Sequence, residues 1–143
     1  MKKTIIVCLV EFCLLMTGCG KVPGNTENVK ITIDESEKYS REEIQSAMDV
    51  VLRYFWSFEG CTLTDLWYDD ELSSQYAKDY VTSGAGMTGV KEENVIVLFS
   101  NFDTSKIAGR AGFTGDITYT DWSWTLVRTD NNSEWKVSGY GVW

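Results

Sequence analysis

The stretch from Phe113 to Trp143 restricts the fold more than any other part of the chain. It reads Phe-Thr-Gly-Asp-Ile-Thr-Tyr-Thr-Asp-Trp-Ser-Trp-Thr-Leu-Val-Arg, a polar break Thr-Asp-Asn-Asn-Ser-Glu, then Trp-Lys-Val-Ser-Gly-Tyr-Gly-Val-Trp. Apolar and polar residues alternate, and the β-branched and aromatic side chains favour a pleated backbone. The polar break joins two such runs as a hairpin, so the segment predicts antiparallel strands. Four of the six tryptophans lie here, and strands this apolar need a cover for one face. The alternation changes phase: Phe113, Ile117 and Tyr119 are odd-numbered, whereas Trp122, Trp124 and Leu126 are even-numbered. One register slip brings all six to the same side. A bulge at Thr120-Asp121 supplies it, and a short hairpin there is the alternative. Beyond the turn, Trp135 and Val137 face one way and Tyr140 and Val142 the other, with Gly139 a natural place for a second bulge.

The cover is predicted upstream. Ser40 and Glu43 have the spacing of a capping box, and Tyr39 and Ile44 occupy the two staple positions around it. Ile44, Ala47, Met48, Val51 and Phe55 recur at helical spacing, so a helix from about Arg41 to Phe58 carries a core-facing stripe, and Gly60 stops it. Val29 to Asp34 alternates as a short edge strand. Cys61 to Tyr68 also alternates, which places Asp65 on one face with Leu63 and Trp67. Asp65 is then either a buried carboxylate that needs a partner or an ordinary surface acid. Asp69 or Asp70 caps a second, short helix whose inner face is read as Leu72, Tyr76 and Tyr80. Asn94 to Phe102 is apolar on both alternating sets through Phe99, which predicts a central strand buried on both sides. Asp103 to Gly112 reads as a loop of small residues.

Residues 1–18 look like a targeting segment. Lys2 and Lys3 form a positive start, and Thr4 to Met16 is mostly apolar, interrupted by Glu11 and short for a membrane span. The run Leu15-Met16-Thr17-Gly18-Cys19 resembles the lipobox of bacterial lipoprotein signals, in which the cysteine sulfur receives a diacylglycerol and becomes the new N-terminus. An ordinary cleaved signal with an incidental Cys19 is the alternative. Lipidation at Cys19 implies an anchor on the outer face of the cell membrane. Residues 19–38 then read as a tether and residues 39–143 as the folded domain. Extended, Gly20 to Lys38 would reach roughly 60 Å.

Removing residues 1–18 leaves 11 basic and 20 acidic residues, a net charge of −9. An acidic surface without a cluster of Lys or Arg repels phosphate backbones, so no nucleic-acid partner is expected, and neutral or cationic ligands are favoured. Cys8 and Cys13 leave with the signal, and acylation of Cys19 makes Cys61 the one free thiol. The chain has no histidine to activate that thiol. Asp69-Asp70-Glu71 lacks the alternating oxygen ligands of a calcium loop and suits a helix start instead, so no metal is expected. Gly84-x-Gly86-x-x-Gly89 follows a predicted helix rather than a strand, which reads as a flexible loop rather than a dinucleotide site, and no cofactor is expected.

The order of long helix, strand, short helix and curved meander, closing on Trp124-Thr-Leu-Val-Arg128 and Glu134-Trp-Lys-Val-Ser-Gly139, resembles the nuclear transport factor two-like (cystatin-like) superfamily. It is most similar to small uncharacterised lipoproteins of Gram-positive bacteria, over roughly Tyr39 to Trp143. The resemblance implies an α+β fold in which a cone-shaped, curved antiparallel sheet of four to five strands packs on one long N-terminal helix plus a short helix. Superfamily enzymes hold an Asp, His or Tyr inside the cone, and here only Asp65 sits on a mainly apolar strand face. Three functions are consistent with these residues. One is a membrane-tethered, non-catalytic binding or accessory module for a small ligand or protein partner, with Trp56, Trp67 and Trp124 sharing one cavity. The second is an isomerase or dehydratase with Asp65 as base. The third is a purely structural or interaction domain with a filled core.

Overall fold

The computed structural model describes residues 20–83 and 89–142. The signal segment, Cys19, Gly84 and Gly86 lie outside the described residues. Five strands and two α-helices follow one another as β1 (Lys30–Ile33), α1 (Arg41–Phe55), β2 (Cys61–Tyr68), α2 (Asp70–Thr82), β3 (Val95–Thr104), β4 (Thr118–Val127) and β5 (Lys136–Gly141). Short 3-10 turns occupy Glu92–Asn94 and Lys106–Ala111, the latter inside the stretch read as a loop.

The strands form one open α+β sheet in sequence order, with β1 and β5 at its edges and β3 in the middle. The pairs β2–β3, β3–β4 and β4–β5 are antiparallel. β1 pairs with β2 in parallel, so the sheet is mixed and not wholly antiparallel as the sequence suggested. The reason is the connection. α1 lies between β1 and β2 in the chain and returns it to the end from which it started, and two neighbouring strands joined by such a crossover must run the same way.

Three bulges set which side chains face which side. Between Tyr119 and Trp122, β4 carries one residue more than β3: Phe102 pairs with Tyr119 and Ser100 with Trp122. This is the predicted slip at Thr120-Asp121. Asp121 takes a positive φ of 54° there, which Asp tolerates better than most residues, and its N–H donates to Asn101 Oδ1 at 3.0 Å. A second irregularity sets Thr125 opposite Gly139 and Leu126 opposite Val137. Ser138 is the extra residue, one position before the glycine expected to mark the bulge. Val137 and Tyr140, expected on opposite sides, therefore meet the same core. The third bulge was not foreseen. Leu63 pairs with Phe102 and Asp65 with Asn101, so Thr64 is extra in β2. Cys61, Leu63, Leu66 and Tyr68 consequently share the core cluster, and Asp65 and Trp67 turn to the other side. The face predicted to hold Leu63, Asp65 and Trp67 together does not form.

α1 begins as its sequence requires. Glu43 N–H donates to Ser40 Oγ at 3.1 Å, and Ser40 N–H donates to Glu43 Oε2 at 2.7 Å. The stripe Ile44, Ala47, Met48, Val51 and Phe55 is buried throughout. It joins one cluster with Leu63 and Leu66 of β2, Ile96, Leu98 and Phe102 of β3, and Trp122, Trp124 and Leu126 of β4. The helix stops at Phe55, one turn short of the predicted end. Gly60 follows with a φ of +72°, and a Cβ there would lie 2.6 Å from Ile107 Cγ1 and 2.8 Å from Ser105 Oγ.

α2 has 13 residues against the 15 of α1, so it is not the short helix expected. Asp69 caps it, accepting from Leu72 N–H at 2.8 Å. Its buried residues are Ser73 and Ala77, while Leu72 is exposed. Of the predicted inner face, Tyr76 and Tyr80 are part-buried and Leu72 is not, because small side chains let the helix approach β3 closely: Val97 N–H, past the end of β2, donates to Ser73 Oγ at 3.0 Å. Tyr76 meets Phe99 at 5.5 Å between ring centroids, and Phe99 alternates with Leu98 along β3. Each side of β3 is thus covered, as the two apolar sets of its sequence required. Ile117, read as core, is exposed, since its backbone N–H and carbonyl are both bound by Thr104 in the turn before β4.

Part of the segment read as a tether is hydrogen-bonded to the folded chain. Val22 carbonyl accepts from Gly60 N–H at 3.0 Å, Gly24 N–H donates to the Trp56 carbonyl at 3.1 Å, and Asn25 N–H donates to the Cys61 carbonyl at 2.9 Å. Asn25 forms an isolated parallel bridge with Thr62. Glycine is needed at position 24, where a Cβ would lie 1.9 Å from the Phe55 carbonyl oxygen.

Candidate functional site

Asp65 and Trp67 end up side by side on the sheet side away from α1, because the Thr64 bulge turns both of them there. They line one surface pocket of about 230 Å³ with Lys30, Thr32, Asp34 and Asn101. Asp65 is half-buried and partnered: its Oδ2 accepts from Thr64 Oγ1 at 2.9 Å and from Asn101 Nδ2 at 3.4 Å. Asn101 is itself fixed, since its Oδ1 accepts from Asp121 N–H. The Trp67 ring stacks on Phe99 at 6.1 Å with 29° between planes. The arrangement supplies an oriented carboxylate, an amide and an aromatic surface. Groups of these kinds are suited to a cation or a hydroxyl. Among the described residues, no group of three or more His, Cys, Asp or Glu is placed to hold a metal ion.

The other two tryptophans are elsewhere. Trp124 is fully buried in the main core, packed on Phe58 at 5.1 Å and Tyr140 at 5.4 Å between centroids. Its Nε1 donates to Ser100 Oγ at 2.8 Å. Trp56 is 59% exposed at the C-terminal end of α1 and lines a different pocket with Lys21, Pro23 and Arg110. The shared cavity expected for Trp56, Trp67 and Trp124 therefore does not form. An alternating pattern cannot reveal this, because a single bulge reverses which face every later residue occupies.

Cys61 is buried, and burial pushes its thiol up to about 11. It is a small side chain packed in the core, and burial disfavours its thiolate.

Arg128 was not singled out by the sequence. It is buried at the other end of the sheet, with its Nη1 donating to Glu43 Oε1 at 2.8 Å and its Nε to Asn94 Oδ1 at 3.3 Å. The guanidinium lies over the Trp135 ring at 4.3 Å. A planar, permanently charged group with several fixed donors is suited to such a stack and fork, and it ties the start of α1 to the β4–β5 turn. The signal was the apolar run Trp-Thr-Leu-Val that carries Arg128 at its end. Desolvation acts to raise the Glu43 pKa, but the Ser40 N–H and Arg128 outweigh it and hold the carboxyl below the usual glutamate range. A depressed folded-state pKa stabilises the fold above the unfolded-state value, and the stabilisation is lost as pH falls through the folded one. Thermal melts of the wild type and Glu43→Gln should therefore differ at neutral pH and converge in acid. Curves separated by the same interval at every pH would show that the Glu43 charge contributes nothing.

None of the protein-family models, curated proteins or solved structures compared with this chain matches it.

Proposed function

We propose that the chain is a lipid-anchored module on the outer face of the cell membrane, held through Cys19, that binds a ligand or protein partner without transforming it, and does so on its surface. One observation carries the surface reading. The rings that would line the inside of a nuclear transport factor two-like cone are packed on one another: Phe58 lies within 4.8 to 6.4 Å of Phe55, Phe102, Phe113, Trp122, Trp124 and Tyr140, centroid to centroid. A curved sheet wrapping α1 is supported by the bulges in β2, β4 and β5, which bend strands, and by the common cluster of α1 with β2, β3 and β4. In this reading the cone is filled, and Asp65 stands outside it.

The recognition surface is the pocket shared by Asp65 and Trp67. Its carboxylate and indole, with the acidic balance of the chain, suit neutral or cationic ligands. Asp65 has Thr64 and Asn101 as hydrogen-bond donors and no histidine with which to share a proton, which favours holding over catalysis.

A screen of small neutral and cationic compounds, read by thermal shift and tryptophan emission, tests the binding claim. Stabilisation by a hit should vanish in Trp67→Ala and weaken in Asp65→Asn, while both variants still unfold cooperatively. Turnover of any compound that depends on Asp65 would overturn the non-catalytic reading. Fractionation tests the anchor: in a lipidating host, Cys19→Ala should release the protein from the membrane or block its processing. A variant that stays membrane-bound and normally processed would sink the anchor.

A further inference from the structure

The docked N-terminal segment leaves almost no slack between an anchor at Cys19 and the folded domain. Val22 is already bound to Gly60, and Gly24 to Trp56. Only Gly20 and Lys21 separate Cys19 from Val22, a reach of roughly 10 Å when fully extended. This replaces the roughly 60 Å that a free tether to Lys38 would give. An acyl chain on Cys19 therefore brings one particular end of the domain against the bilayer, the end where α1 finishes and β2 starts.

That end has the composition of a membrane-facing surface. Trp56 is 59% exposed and Val22 49% exposed, and both lie at this end, where Val22 carbonyl accepts from Gly60 N–H and the Trp56 carbonyl from Gly24 N–H. Lys21 and Arg110 line the pocket beside Trp56, and Lys106 is exposed on the same 3-10 turn as Arg110. That turn is held to this end by Ser105 N–H, which donates to the Gly60 carbonyl at 2.8 Å. Glu59, Asp103 and Asp116 bring the end close to neutral. The opposite end is different. There Glu43 and Glu92 pair with Arg128 and Lys38, while Glu35, Glu37, Glu42 and Asp130 are exposed. The chain is thus acidic away from the anchor and near neutral beside it. Repulsion from anionic headgroups turns the acidic end outward.

We infer that the end bearing Trp56 and Val22 is a lipid-seating surface, which rests in the headgroup region of the same bilayer that holds the Cys19 acyl chains. Tryptophan favours that depth because its ring is apolar and its N–H is polar, and Lys and Arg beside it extend to the phosphates. The acyl anchor and the seated surface act as two contacts with one membrane. They fix the domain's orientation, so that the Asp65–Trp67 pocket and the acidic end point along or away from the membrane instead of tumbling on a leash. The inference rests on the lipid anchor proposed above.

The test separates the two claims. The full chain is expressed in a lipidating bacterium, extracted from the membrane fraction and reconstituted into vesicles of phosphatidylethanolamine and phosphatidylglycerol whose acyl chains carry bromine near the headgroup. Mass spectrometry of the N-terminal peptide reads lipidation, and quenching of tryptophan emission by the bromines reads seating. A lipidated protein whose emission is quenched, with most of the quenching lost in Trp56→Phe, is the expected result. A lipidated protein quenched equally with and without Trp56 overturns the seating surface and leaves the anchor standing. An N-terminal peptide without lipid overturns both. Because Trp56 is exposed, Trp56→Phe should keep the wild-type melting temperature, and a matching thermal melt verifies that the comparison is made on folded protein.

Discussion

Val51→Asp should leave no cooperative unfolding transition at room temperature. Val51 is completely buried in the middle of the α1 stripe, between Met48 and Phe55 in sequence and inside the main core cluster. An aspartate there either stays charged without a partner or takes up a proton, and either route costs several kcal/mol. Domains of this size are stable by only about 5–15 kcal/mol, so one such change consumes most or all of the margin. Circular dichroism against urea measures it. Ser46→Asp, on the exposed side of the same helix, should stay within about 0.5 kcal/mol of wild type. A wild-type transition in Val51→Asp would mean that α1 does not cover the core.

The second large effect is expected at Trp124. Its ring is fully buried and touches Tyr54, Phe55, Phe58 and Tyr140, and its Nε1–H is paired with Ser100 Oγ in the interior. Trp124→Ala opens a cavity among rings that cannot collapse to fill it, a change worth about 3–5 kcal/mol. The melting temperature should fall by roughly 10 to 20 °C. Trp124→Phe keeps most of the volume and loses only the indole hydrogen bond, so it should fall much less. If the alanine and phenylalanine variants melt together near wild type, the site is not close-packed, and an internal ligand cavity replaces the filled core proposed above.

Local chemistry determined much of this fold. The capping box at Ser40 and Glu43, the stripe on α1, the Asp69 cap and the double apolar pattern of β3 depend on neighbours within a few residues, so the sequence displays them directly. The β4 bulge was legible too, because six apolar side chains in two phases cannot reach one core without it. Nothing comparable marked Thr64. The β2 pattern alternates without a break, and only pairing with β3 shows that Thr64 has no opposite residue. That one extra residue decides the candidate site. It separates Asp65 and Trp67 from Leu63 and sets them on the outer side of the sheet. The parallel β1–β2 pair, the docking of Val22 to Asn25 and the burial of Arg128 on Glu43 have the same origin. Each joins segments distant in the chain, and their energies come from contacts that exist only in the folded chain. The sequence by itself determined which stretches become the main helices and strands and the core stripe of α1, whereas the burial of Ser73, Ala77 and Arg128 and the exposure of Leu72 and Ile117 followed from tertiary contacts. The tertiary structure alone decided which face each strand presents and which carboxylates and rings meet, because register and long-range pairing are settled by packing and not by the residues adjacent in the chain.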